Sequence, residues 1–197
     1  LSQAKTLGRE ECFSLYRYLS RWILSSKQPV LCEFGTQFGC SCFALSTIAE
    51  WLSVPLQLHS WDILDEVKGR LSRERSSFHL EDISGHEDAF FDTYKPDVLY
   101  LDLSIYSLPK KLLELCIARG TDCILHAVSP SLHDRMLQET KSFTDMSVTG
   151  PWNSRLIELI SPGLIAGIDF YESPELTASV ARGRFGLCII EMKKGRL

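Results

Sequence analysis

Carboxylates that follow short apolar runs, two glycines at fixed spacing and a histidine at a strand end are the residues of this 197-residue chain whose types and positions suit chemistry. The densest group lies between Pro29 and Ser41, where Val30-Leu31-Cys32-Glu33-Phe34 runs into a turn punctuated by Gly35 and Gly39. Glycine accepts backbone angles, and the close approach of a ligand, that a β-carbon obstructs. The pattern therefore suits a nucleotide-like ligand seated over the turn. Asp62, about twenty positions further on and just after a second apolar run, stands where α/β nucleotide-binding folds place a carboxylate for ribose hydroxyls. Glu81 and Asp82 close a third short run, Asp102 ends a fourth, and His126 lies in a fifth. An imidazole beside a carboxylate can take a proton from a substrate hydroxyl.

These side chains need a scaffold that brings strand ends together, and the hydropathy pattern supplies one. Strands are expected at Val30–Phe34, Gln57–Trp61, Phe78–Leu80, Asp97–Asp102, Cys123–Ala127, Leu156–Ile160 and Phe185–Met192. Helical spacing of apolar residues predicts helices over Glu10–Leu24, Cys40–Leu52, His86–Tyr94, Pro109–Arg119, Leu132–Phe143 and Pro174–Ala181. Gly120 is well placed just past the end of the fourth helix. Regular alternation of this kind predicts an α/β, Rossmann-like, doubly wound and mostly parallel sheet with helices on both faces, its last two strands forming an antiparallel pair. Ligands of such sheets gather at the carboxyl ends of the strands. No repeat, low-complexity stretch or linker divides the chain, so residues 1–197 read as one domain led by a helical segment over 1–28.

Composition narrows the classes. A hydrophobic content of 45% with 23% charged residues is that of a soluble globular protein. Against 25 acidic residues stand 21 lysines and arginines, and a net charge of -4 gives no global attraction to nucleic acid or to an anionic membrane. Arg70, Arg73 and Arg75 form a local basic stretch, read as a solvated segment before a role in RNA binding. Seven cysteines, an odd number lying largely in apolar runs, suggest reduced thiols and a cytoplasmic location. Cys40 and Cys42 are two apart, which is not the spacing of a redox or zinc motif. No apolar run is long enough to span a bilayer, the amino end shows no signal-peptide pattern, and a start at Leu1 reads as a piece of a longer protein.

The segment Glu33-Phe34-Gly35-Thr36-Gln37-Phe38-Gly39-Cys40-Ser41 resembles the E-x-G-x-x-x-G-x-S first motif of class I S-adenosylmethionine-dependent methyltransferases, in particular the small O-methyltransferases and the cephalosporin-hydroxylase-like proteins grouped with them. The resemblance extends over most of the chain. It implies S-adenosylmethionine as cofactor and methyl transfer to a small-molecule acceptor, with a hydroxyl as the expected target. It would give Gly35 and Gly39 to the methionine part of the cofactor, Asp62 to the ribose, and Glu81 and Asp82 to the adenine, with Glu33, Thr36 and Ser41 of the same motif also among the cofactor-binding residues. Asp102 and His126 would be the catalytic pair.

Two features depart from the family. Its O-methyltransferases often carry a histidine three positions beyond the strand-four aspartate, where this chain has Ile105, and a histidine-aspartate or aspartate-asparagine pair after strand five, where His126 is followed by Ala127. Asp102 and His126 alone are too few for a metal site, and none is expected. The same departures support a second reading, a binding or scaffolding domain that keeps the fold without the reaction. Tyr106, Trp152 and Tyr171 fall in expected loops, facing an acceptor or covering core edges, and His133 with Asp134 falls on a solvated helix face.

Overall fold

Buried leucines and cysteines, with β-branched and aromatic residues among them, build the strands, and polar breaks end them. The computed structural model describes residues 9–25, 27–36, 39–63, 76–103, 107–126, 165–171 and 187–192. Its elements are α1 (Arg9–Leu19), a 3-10 turn (Ser20–Trp22), β1 (Val30–Phe34), α2 (Cys40–Trp51), β2 (Gln57–Asp62), β3 (Ser77–Leu80), α3 (Glu87–Tyr94), β4 (Val98–Leu101), α4 (Ser107–Arg119), β5 (Asp122–His126), β6 (Ile165–Tyr171) and β7 (Leu187–Met192). The strands form a seven-stranded, mostly parallel sheet in the order β3-β2-β1-β4-β5-β7-β6. By packing, the chain falls into two compact units, Leu1–Tyr100 and Leu101–Leu197.

In the first unit β1 and β3 both pair parallel with β2, with Glu33 opposite Ser60, Phe34 opposite Trp61, and Trp61 opposite His79. Alternation along β1 and β2 sends Glu33 and Ser60 to one face and Phe34 and Trp61 to the other. The first face receives α2, through Ser41. The second receives α3, whose Phe90 and Tyr94 meet the ring of Trp61 edge-on. A sheet covered on both faces explains why Leu58, His59, Ser60 and Trp61 are buried in succession.

The second unit is built on Leu112, Leu113 and Cys116 of α4, Cys123 to Leu125 of β5, and Leu187 to Ile190 of β7, all buried. Gly120 takes up φ 66° past α4, and Thr121 N returns to the Cys116 carbonyl at 2.9 Å, closing the helix as its position suggested. β7 runs antiparallel to both β5 and β6.

Three expectations change. The first helix ends at Leu19 and tightens into a 3-10 turn, because Ser20 Oγ donates back to the Arg17 carbonyl at 2.7 Å. The antiparallel partner of the last strand is Ile165–Tyr171, a segment the sequence pattern does not mark, with a register irregularity at Gly167. Tyr171 accordingly ends a strand and does not lie in a loop. Leu132–Phe143, Leu156–Ile160 and Pro174–Ala181 lie outside the described residues, as do Arg70, Arg73, Arg75, Tyr106, His133, Asp134 and Trp152. Among the described residues no helix is long and apolar enough to cross a membrane.

Candidate functional site

Strand ends in the first unit converge on one edge. Because β1, β2 and β3 are parallel neighbours, Gly35, Asp62 and Glu81 come off the same carboxyl edge of the sheet. Gly35 has φ 89° and Gly39 φ 76°, a left-handed region that side-chain-bearing residues rarely adopt. Gly39 is also the residue from which α2 starts, and it has no side chain to cap the helix. The amide end of α2 therefore begins at this glycine, and a helix amino end favours an anionic group such as a carboxylate.

A single carbonyl pins the turn to β2. The Trp61 oxygen accepts from Gly35 N at 3.0 Å, from Thr36 N at 3.3 Å and from Thr36 Oγ1 at 3.1 Å. Thr36 is buried, so its hydroxyl is used inside the fold. Gly39 N then bonds the Thr36 carbonyl at 2.7 Å. Glu33 is fully buried beneath the turn; Ser41 Oγ donates to one carboxylate oxygen and Ser60 Oγ to the other, the latter at 2.8 Å. Its carboxylate ties β1, β2 and the first turn of α2 together. Two serines, one of them remote in sequence, satisfy a buried charge that would otherwise be costly.

Asp62 is the last residue of β2 and half-buried, and its carbonyl accepts from Glu81 N at 3.1 Å. Glu81 and Asp82 are exposed. Asp82 closes a turn of its own, with Ser84 N 2.9 Å from Oδ1, and hydrogen bonds from the Ser84 side chain and backbone hold its carboxyl below the usual range.

In the second unit Asp102 directly follows β4 and His126 ends β5. His126 Nδ1 lies 3.0 Å from Asp102 Oδ2, with the side chains only 4% and 7% exposed. The two groups stand within ion-pair distance, and both ring nitrogens of His126 are buried. A carboxylate beside an imidazole favours its protonated form.

No protein-family model matches the chain, and no curated protein matches it. Solved structures do. Cofactor-bound Rv0187 from MTB superposes with a TM-score of 0.66 at 12% identity, over 99% of this chain and 84% of its own. The O-methyltransferase TomG from Streptomyces achromogenes, in complex with SAM, gives 0.65 at 11% identity over 95% and 82%. CmcI in its apo form gives 0.56 at 8% identity, over 95% and 72%. The fold is the one these structures share. At these identities the likeness is one of architecture, and the roles of individual residues rest on the geometry above.

Proposed function

We propose that the chain binds S-adenosylmethionine and catalyses methyl transfer to a small-molecule hydroxyl. The observation that carries the catalytic reading is the buried Asp102–His126 pair, with His126 Nδ1 held 3.0 Å from a carboxylate oxygen. The residues of the first unit fit the cofactor. Gly35 and Gly39 carry no β-carbon at the two ends of the turn, the amide end of α2 suits the methionine carboxylate, and Asp62 stands at the strand end for ribose hydroxyls. Glu33, Thr36 and Ser41 act from inside, by holding that turn, and Glu81 and Asp82 border the adenine end. When bound, the cofactor supplies an electrophilic methyl group on a sulfonium.

The chain's own part is positioning and proton management. His126 Nε2 accepts the acceptor's hydroxyl proton as the oxygen attacks, and Asp102 stabilises the imidazolium that results. Alignment of acceptor and methyl donor supplies the remaining acceleration. In a screen of hydroxylated acceptors, His126→Ala should lower kcat by about 10²–10⁴-fold while S-adenosylhomocysteine affinity stays unchanged. Equal turnover in the variant would remove the histidine from the mechanism. The burial of both Asp102 and His126 favours a second reading, a binding module in which the pair is structural; cofactor binding without turnover across a broad panel would select it.

A further inference from the structure

His59 of β2 and His79 of β3 take no part in the site just described, yet they form the most unusual polar contact of the first unit. The Gln57 amide nitrogen lies 2.9 Å from His59 Nε2, and His59 Nδ1 lies 3.2 Å from His79 Nε2. An amide nitrogen can only donate, so His59 Nε2 accepts, and the ring proton sits on Nδ1. That proton is donated to His79 Nε2, which leaves the proton of His79 on Nδ1. The relay is complete with both rings neutral.

A further proton disturbs it. Placed on His79 Nε2, it opposes the His59 N–H unless His59 moves its own proton to Nε2, where the Gln57 N–H already points. A second added proton leaves two donors facing each other at 3.2 Å whatever Gln57 does. The groups packed around the pair offer little relief. Tyr94 of α3 meets both rings edge-on, its phenol pushed up by burial and by Glu81. Cys32 of β1 is raised well above the usual thiol range by burial and by Asp97, and stays neutral. Glu81 favours a charge on His79, but burial outweighs it, and burial together with His79 lowers His59.

The pair is coupled to the turn through one residue. His79 lies flat on the Trp61 ring at 4.3 Å and 11°, and His59 stacks on the same ring at 5.8 Å. Trp61 in turn stacks on Phe34 and offers its carbonyl to Gly35 and Thr36. The next carbonyl, that of Asp62, holds Glu81.

We propose that His59 and His79 are positioning residues for the cofactor half-site: the hydrogen bond between two neutral rings seats Trp61 under the glycine turn, and protonating the pair loosens Gly35, Thr36 and Asp62. The proposal rests on the reading of this edge as an S-adenosylmethionine site.

Nuclear magnetic resonance of the ¹⁵N-labelled chain, without ligand, tests it from about pH 8 to about pH 5, a range spanning the histidine titration. His59 should show a bare Nε2 and a protonated Nδ1 at the high end, and the Gly35 and Thr36 amides should shift with the midpoint of the pair. In His79→Phe, which keeps a ring on Trp61 and removes one titrating imidazole, the amide shift should shrink to the step of His59 alone. His59→Asn, whose amide keeps a donor near the position of Nδ1, is the second variant and should reduce the amide titration to one proton. Calorimetry with S-adenosylhomocysteine over the same range should show affinity falling by up to about tenfold per pH unit below the midpoint, and a shallower profile in His79→Phe. Amides that ignore the histidines, or an affinity equally pH-dependent in His79→Phe, overturn the proposal. Amides that titrate with no ligand bound at any pH overturn the cofactor reading and leave the control of the turn standing.

Discussion

Glu33 shows what a single side chain decides at this site. In the sequence it is the first letter of a glycine motif; in the structure its carboxylate is buried and held by Ser41 and Ser60. The Ser41 contact lies within the motif, whereas Ser60 becomes a partner only through the parallel register of β1 and β2. Nothing in the sequence marks it. Because the charge is fully buried, Ser60→Ala should cost about 1.5–3 kcal/mol, the worth of a hydrogen bond to a charged group, read as a lower urea midpoint at unchanged slope. An unchanged midpoint would mean that water or another donor serves the second oxygen. The cysteines behave as the sequence suggests: all seven are free thiols, and burial pushes Cys42 up to about 11, where it packs as a small neutral side chain.

Elements were legible where periodicity and punctuation agreed. Val30–Phe34 followed by Gly35 and Gly39, and Pro109–Arg119 followed by Gly120, combine an apolar run with a residue suited to end it. β6 is the counterexample. Ile165–Tyr171 carries Gly167 in its interior, which weakens the strand signal, and its pairing with β7 overrides that local preference. Gly39 links element geometry to the site, since α2 starts from its left-handed angle. Gly39→Ala should destabilise the chain by about 1–2 kcal/mol through backbone strain alone, measured by urea unfolding. A stability equal to that of the native chain would show that the turn relaxes without cost. The β2–β3 pair carries a pH dependence of its own. His59 and His79 both titrate below the ordinary 6.5, so the unfolded chain binds more protons than the folded one in this window. Stability should therefore rise with pH up to about the ordinary histidine value and level off above it, and fall again on acidification. Urea midpoints across that range, compared with His79→Phe, check the sign; a slope of the opposite sign, or one the variant keeps in full, would remove the pair as its source.

At the scale of the whole molecule, the alternation of strands and helices made the architecture readable, and the sheet order and the solved structures with the same fold agree with it. Function was less legible, because its residues come from separate strand ends. Asp62 and Glu81 share an edge only once β2 and β3 are laid parallel, and Asp102 meets His126 only when β4 and β5 have placed their ends. The departures from the family at Ile105 and Ala127 are visible in the sequence, but their consequence depends on that meeting. The central claim is that the carboxyl edge of the first unit holds S-adenosylmethionine. Calorimetric titration of the purified chain with S-adenosylmethionine and S-adenosylhomocysteine, repeated with Asp62→Ala, tests it most directly. Both ligands should bind, and the variant should bind each about 10–100-fold more weakly, the loss expected for hydrogen bonds to a charged group. No binding of either ligand, or binding that Asp62→Ala leaves untouched, would contradict it.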